Sequence, residues 1–280
     1  MYEIVKKQSL NPTVTRMDIR APFVAKKAQA GQFVILRVDA DGERIPLTVA
    51  GVDKEQGTVS IIFQIVGGTT ELLNHKEEGD CLQDFVGPLG KPTETEGLKK
   101  VCVVGGGVGC AIALPVAKKL KEQGCSVTSI IGFRSKDLVI LEEEFAAASD
   151  RLFLMTDDGS YGRQGNVCVP LNEMYAAGED FDEVIAIGPL IMMKFVCLAT
   201  KPHGTKTVVS MNPIMIDGTG MCGGCRLSVD GKMMFACVDG PDFDGQKVDF
   251  DEAMSRARTY PEFEAHAREK ACNLFKKEVL

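Results

Sequence analysis

Three cysteines and an aspartate carry the most specific chemistry in the chain: Asp217-Gly-Thr-Gly-Met-Cys222-Gly-Gly-Cys225, with Cys237 further on. Thiolates two residues apart suit a soft metal. Counting back from Cys222 at the C-x4-C-x2-C interval of plant-type [2Fe-2S] proteins reaches Asp217. The spacing therefore reads as a [2Fe-2S] loop with three cysteine ligands and one aspartate. Two other readings compete for the same residues. Zinc accepts Cys-x2-Cys, but no fourth Cys or His is evident at ordinary spacing. A redox Cys-x-x-Cys opens a helix in thioredoxin-like domains, whereas this one lies among glycines. The iron–sulfur reading explains the glycines, which let the backbone wrap closely and turn amides toward sulfur. It also explains the acid.

Composition limits what surrounds the loop. The 280 residues are enough for two or three domains with cores of their own. Hydrophobic residues at 45% and charged residues at 25% are ordinary for a globular protein, and a net charge of −7 argues against a general nucleic-acid binder. No apolar run approaches a membrane span, and the start MYEIVKKQSL lacks the apolar core of a signal peptide. A cytoplasmic protein with neither nucleic-acid nor membrane partners is expected. In that compartment the ten cysteines do not read as a disulfide framework. Cys102, Cys110, Cys125, Cys168 and Cys197 sit singly in apolar or helical surroundings, as small hydrophobes, and Cys81 and Cys272 are isolated.

Residues 1–97 read as strands. Tyr2–Gln8, Val14–Ile19, Phe33–Val38 and Val59–Ile65 alternate or run apolar between Asn-Pro, Ala-Pro and Asp-Gly turns. Short strands in series predict an all-β barrel. Arg44-Ile-Pro-Leu-Thr48, followed by Gly67-Gly-Thr-Thr70 opening a helix over Thr70–His75, suggests what the barrel holds. Arg44 is a fixed cation, Pro46 to Thr48 an extended edge for a flat ring, and Thr48 a hydrogen-bonding group for a flavin nitrogen. Gly67, Gly68, Thr69 and Thr70 offer amides and hydroxyls at a helix N-terminus, which favours a pyrophosphate. A plain barrel with an N-capped helix is the competing account.

Residues 98–210 change period. Strand Val101–Val104 runs into Gly105-Gly106-Gly107-Val108-Gly109. After it come helix Cys110–Gln123, strand Ser126–Phe133, helix Glu142–Ala148, strand Arg151–Met155, a helix near Leu171–Ala177, strand Glu183–Ile187 and a helix from Leu190. The alternation predicts a parallel sheet. The glycines stand where a phosphate cradle belongs, although Cys110 takes the last place of G-x-G-x-x-G. Asp157, Asp158 and Gly159 follow the third strand, and Gly188-Pro189 a later one. All fall at strand C-terminal ends, where open sheets bind ligands. No acid ends the second strand. Arg134 and Lys136 stand there, which suits either a 2′-phosphate or ordinary surface charge, so NAD(H) against NADP(H) stays open.

The order of parts resembles the ferredoxin–NADP reductase superfamily: the Arg44–Thr48 strand, the Gly-Thr helix start, and Asp84-Phe-Val-Gly-Pro-Leu-Gly90 closing the flavin domain. The resemblance implies that these loops hold FAD and the nicotinamide nucleotide, with Leu47 beside the flavin ring and Gly188-Pro189 beside the nicotinamide. With a cluster segment over 211–245, the chain is similar to the electron-transfer subunit of dihydroorotate dehydrogenase, whose pattern is Cys-x4-Cys-x2-Cys…Cys. Asp217 departs from that pattern. With the tail over 246–280, it resembles instead the small subunits of NADH-dependent reduced ferredoxin:NADP oxidoreductase and their sulfide-dehydrogenase relatives. A multidomain β plus α/β fold is implied, with FAD, a [2Fe-2S] cluster and NAD(H) as cofactors. So is a heterodimer with a larger, glutamate-synthase-like flavin and iron–sulfur subunit, which exchanges electrons with ferredoxin by bifurcation. The implied activity is a relay: hydride to flavin, then single electrons through the cluster to the partner. A non-catalytic redox or nucleotide sensor is the alternative of a different class. In the tail, Phe250–Thr259 and Glu262–Lys277 read as two helices broken by Pro261, either packed on their own domain or docked on the partner.

Overall fold

The first third of the computed structural model, which describes residues 2–260, 263–266 and 269, is a barrel. Its strands are β1 (Tyr2–Asn11), β2 (Val14–Arg20), β3 (Phe33–Arg37), β4 (Arg44–Asp53), β5 (Thr58–Gln64), β6 (Cys81–Leu82) and β7 (Asp84–Leu89). They form one antiparallel sheet in the order β6-β1-β2-β5-β4-β3-β7. Strand alternation sends one face of each inward. Ile4, Met17, Leu36, Val49, Ile61, Leu82 and Phe85, one from each strand, meet in a single buried core. A sheet whose every strand feeds one interior is a barrel. Helices α1 (Pro22–Lys27) and α2 (Gly68–His75) add Val24 and Leu73 to that core. Truncating Ile61 or Phe85 to alanine would cost on the order of 2–5 kcal/mol.

A second seven-stranded sheet follows. Its main strands are β8 (Lys100–Gly106), β9 (Ser126–Phe133), β10 (Arg151–Thr156), β11 (Arg163–Gln164), β12 (Glu183–Ile187) and β13 (Lys206–Ser210). They are joined through α3 (Cys110–Glu122), α4 (Glu142–Ala147), α5 (Cys168–Ala176) and α6 (Leu190–Thr200). The order β11-β10-β9-β8-β12-β13 is parallel throughout and reverses direction between β8 and β12. That is a doubly wound sheet with its switch point at β8/β12. Side chains of α3 and α4, such as Leu120 and Phe145, pack on one face. Those of α5 and α6, such as Leu171 and Met193, pack on the other. Helix α5 starts at Cys168, three residues before the sequence-derived bound, and just ahead of it the Asn166 side chain accepts from the Cys168 amide (2.9 Å).

The third unit is small and interlocked with the other two. Strands β14 (Arg226–Val229) and β15 (Lys232–Phe235) form a hairpin. Beyond it, β16 (Asp242–Asp244) joins the second sheet, pairing antiparallel with β13. The Lys91 amide donates to the Gly240 carbonyl (2.7 Å), and Thr93 Oγ1 donates to Asp242 (2.6 Å), which ties the barrel's exit to the same place. Helix α7 (Phe250–Ala257), capped by Asp249, closes the described tail and meets α6 through Lys194–Asp251 (2.7 Å). The expected helix Glu262–Lys277 lies outside the described residues, apart from 263–266 and 269. No helix among the described residues is long and apolar enough to cross a membrane.

Candidate redox site

The hairpin brings the cysteines together. Asp230 and Gly231 sit between β14 and β15 with φ of 53° and 70°. Positive φ at both central residues is what a two-residue type I′ turn requires. The turn fixes the register Arg226↔Phe235, and the Ala236 amide donates to the Cys225 carbonyl (3.1 Å). Cys225 and Cys237, just outside the paired strands, are thereby both buried with their sulfurs 3.2 Å apart. Burial, and after it the neighbouring Cys225, pushes the Cys237 thiol up to about 12. Cys237 is thiolate at neutral pH only if a metal replaces its proton.

The other two residues of the motif lie on the outer side. Cys222 is exposed, and the amide of Gly224, followed by those of Asp217 and Ile216, lowers its thiol below the ordinary value. The Asp217 carboxyl is also held low, first by the Thr219 hydroxyl and then by the amides of Thr219 (3.0 Å) and Met221 (3.3 Å). All three donate to Oδ2, which leaves Oδ1 for a metal. The donor set is thus two pairs: buried Cys225 and Cys237, and outer Asp217 and Cys222. Among the described residues no three His, Cys, Asp or Glu side chains converge as they would around one ion. By chemistry the four supply three sulfurs and one carboxylate oxygen, a donor set that suits a [2Fe-2S] group.

On the barrel, alternation along β4 puts Arg44, Pro46 and Thr48 on one face. Leu47 is turned the other way, against the barrel core. Arg44 Nε is sealed from solvent with no hydrogen-bond partner among the described residues, which suits the binding of an anion. Gly67 precedes α2, and Gly68, Thr69 and Thr70 form its first turn, whose amides have no partners within the helix. Around Gly67 the space for a Cβ is empty. Thr69 Oγ1 donates to Glu43 (3.1 Å), joining this turn to the Arg44 strand. Thr70 has a different part: its hydroxyl accepts from the Val66 and Gly67 amides and donates to the Gly67 carbonyl, each at 3.0 Å. It shapes the cradle from behind.

The nucleotide loops converge at the switch point. A Cβ on Gly109 would stand 2.5 Å from the Ile187 carbonyl oxygen, and one on Gly188 would stand 3.1 Å from Gly106 Cα. Only glycines let β8, β12 and the start of α3 approach so closely. Gly107 has φ +54 and nothing within 4 Å of a Cβ, so its backbone faces open space, as a phosphate cradle requires. Gly105 packs on Cys110 Sγ, and burial raises that thiol, so Cys110 closes the motif as a core residue. Pro189 follows Gly188 and precedes α6. Beyond β9, the Asp157 amide donates to the Phe133 carbonyl (3.1 Å) and that of Asp158 to the Arg134 carbonyl (3.2 Å). Gly159 turns the same loop at φ +72.

With this geometry stand the likenesses to known proteins. Residues 212–249 match the family model for the iron-sulfur cluster binding domain of dihydroorotate dehydrogenase B. The dihydroorotate dehydrogenase B electron transfer subunit homolog of Thermotoga maritima is 48% identical over 264 residues, covering 94% of this chain and 93% of the relative. The chain belongs to the dihydroorotate dehydrogenase B electron-transfer subunit family. The family's subunit from Streptococcus pneumoniae is 34% identical over 249 residues, with 86% and 94% covered. A solved structure of the NADH-dependent reduced ferredoxin-NADP oxidoreductase, studied for flavin-based electron bifurcation, is 45% identical with a TM-score of 0.92. It covers 96% of this chain and 97% of that one. A cytochrome P450 reductase of Amycolatopsis, 20% identical with a TM-score of 0.59 over 72% of this chain, shares the fold alone.

Three contributors to the site in this family member escaped the sequence reading. Thr219, two residues after Asp217, had a signal in the Asp-x-Thr spacing of an Asx turn. The hairpin had one in Asp230-Gly231 between short apolar runs. Met192, whose sulfur lies where a Cβ of Gly106 would be, had none, because α6 meets β8 only in the folded sheet.

Proposed function

We propose that the chain is the electron-transfer subunit of a two-subunit flavin and iron–sulfur oxidoreductase of the bifurcating ferredoxin:NADP type. In this reading it takes electrons from NAD(H) and exchanges them with a larger, glutamate-synthase-like subunit, and through the complex with ferredoxin. When bound, FAD supplies the conversion between two-electron and one-electron chemistry, and the [2Fe-2S] cluster a one-electron exit. The residues do the holding. Arg44 and the first turn of α2 receive the flavin phosphates, and Thr48 addresses the ring. Gly105, Gly106, Gly107 and Gly109 receive the nucleotide phosphates, with Gly188-Pro189 across the switch point. Asp217, Cys222, Cys225 and Cys237 hold the irons.

NAD(H) is the favoured nucleotide. The Ser135 hydroxyl donates to Asp137, and the Lys136 ammonium lies over the Tyr161 ring at 5.4 Å. Asp137, Asp157 and Asp158 outnumber Arg134 and Lys136 on this rim, which suits a free ribose hydroxyl better than a 2′-phosphate. For the partner, Ile214, Ile216, Met221, Met233 and Val238 are exposed in the loop and hairpin that carry Cys222, and such an apolar surface marks a protein contact.

The single observation that carries the reading is the paired donor set closed by Asp217, set among cradles for a flavin and a dinucleotide. The test is a visible spectrum with flavin, iron and sulfide analysis of the purified protein, followed by identification of the subunit that co-purifies with it. FAD with equal amounts of iron and labile sulfide, and a large flavin and iron–sulfur partner, are expected. A colourless zinc protein would overturn the reading. Negligible NADH:dye reduction would favour the sensor instead.

A further inference from the structure

Helix α7 begins where the family match over residues 212–249 stops, yet it reaches back to the cluster loop. Its seat is the hairpin. The Asp249 amide donates to the Ser228 carbonyl (2.9 Å), and Val248 bridges to Val229. Phe250 is buried in the junction core, with Ala253 and Met254 packed against it. Arg256, three residues after Ala253, lies on the same side of the helix. Its Nη2 donates to the Gly224 carbonyl (3.3 Å). From the other end of the loop, Arg226 Nη1 donates to the Gly223 carbonyl (3.0 Å). Two guanidiniums therefore hold the two carbonyls that lie between Cys222 and Cys225. In a trans peptide the amide points opposite to the carbonyl. The Gly223 carbonyl shares its peptide with the Gly224 amide, which is aimed at Cys222 Sγ (3.5 Å). The Gly224 carbonyl shares its peptide with the Cys225 amide, which is thereby turned away from α7.

We propose that Arg256 is a positioning residue for the cluster: from α7 it clamps the Gly224 carbonyl, as Arg226 clamps that of Gly223, and keeps the loop amides turned to the sulfurs. The proposal rests on the iron–sulfur reading above. Its consequence is electrostatic. Reduction adds a negative charge to the cluster, and amides aimed at sulfur, together with a cation close by, favour that state. Arg256 is half-buried, so solvent screens it less than the exposed Arg226. The helix that carries it also meets α6 through Lys194–Asp251 (2.7 Å), so α7 joins the nucleotide sheet to the cluster loop.

The test is a redox titration of the purified holoprotein, following the cluster by electron paramagnetic resonance, for wild type, R256A, R256K and R258A. Alanine preserves the helix, and the exposed Arg258 is a control of equal charge. R256A is expected to disfavour reduction by about tenfold, a midpoint more negative by about 59 mV for one electron. R256K keeps a charged donor and returns most of the way to wild type, while R258A titrates as wild type does. Amide exchange in metal-free samples is the second readout, because it needs no bound cluster. Residues 223–226 exchange faster in R256A than in wild type or R258A, while α7 and the hairpin strands keep their protection. A wild-type midpoint in R256A would leave Arg256 as packing for α7 and overturn the proposal. So would R256K titrating with R256A, or R258A shifting as far as R256A. Where R256A loads no iron, the metal-free exchange decides: faster exchange confined to the loop supports the proposal, and unchanged exchange, or exchange spread over α7, overturns it. A wild type that holds no iron fails the underlying reading itself, which is a separate outcome and removes the proposal with it.

Discussion

As a ligand, a carboxylate at position 217 would give its iron a harder, less donating partner than the thiolate that a Cys-x4-Cys-x2-Cys loop would supply. Asp217→Cys is therefore expected to lower the midpoint potential of the cluster, measured by redox titration, and an unchanged midpoint would contradict the assignment. Asp242 is titratable in another sense. Its Oδ2 accepts from Thr93, its Oδ1 is buried without a partner, and burial pushes the carboxyl up to about 6 from an ordinary 3.8. A carboxyl raised on folding binds its proton more tightly in the native state, so its stabilising effect is full below the unfolded value and is lost as pH rises through about 6. Relative to Asp242→Asn, wild type should lose on the order of 2–3 kcal/mol between about pH 4.5 and 7.5 in denaturant titrations. A difference that does not vary with pH would mean that the carboxyl is not the titrating group. Cysteine type and spacing made Asp217, Cys222, Cys225 and Cys237 candidates before any fold was known. Asp242 was not, because its burial depends on Thr93, far away in the chain.

Elements with a strong period were read well, and elements held by distant partners were not. Strand β2 alternates and strands β8, β9, β10 and β12 run apolar, so each declares its face and its class from local sequence alone. Strand β16 has three residues and exists because β13 offers an edge, so nothing local announces it. The hairpin β14–β15 lies between these cases: its strands are short and partly exposed, yet Asp230-Gly231 is a strong turn signal. That turn sets the Cys225–Cys237 distance, so it should govern retention of the cluster. Gly231→Ala puts a Cβ on a residue at φ 70 and should cost more than about 1 kcal/mol in hairpin stability. The expected result is faster bleaching of the visible absorbance under a chelator, with flavin content unchanged. Equal bleaching rates would detach the turn from the metal site.

At the scale of the whole molecule, the cluster segment works as a wedge between the other two units. One core contains Phe33 and Ile35 from the barrel, Val209 from β13, and Met215, Cys225, Leu227, Cys237 and Phe243 from the segment. Residues 91–93 and 240–242 lace the barrel's exit to the same region, and β16 completes the sheet edge. Metal binding that fixes Cys225 against Cys237 is therefore coupled to the packing of all three units. The barrel interior of Ile4, Met17, Ile61 and Phe85 forms a separate core with no member in the segment. Cys225→Ser should thus act selectively. Amide hydrogen exchange should accelerate over residues 212–249, along β13 and β16, and on β3 at Phe33 and Ile35, while β1, β2 and β5 keep their protection. Acceleration spread evenly over the barrel would mean that the molecule unfolds as one unit. Acceleration confined to residues 217–237 would mean that the cluster loop is an appendage with no hold on the junction. The interlocked core predicts the pattern between these two, in which the metal site stiffens the contact of flavin barrel and nucleotide sheet.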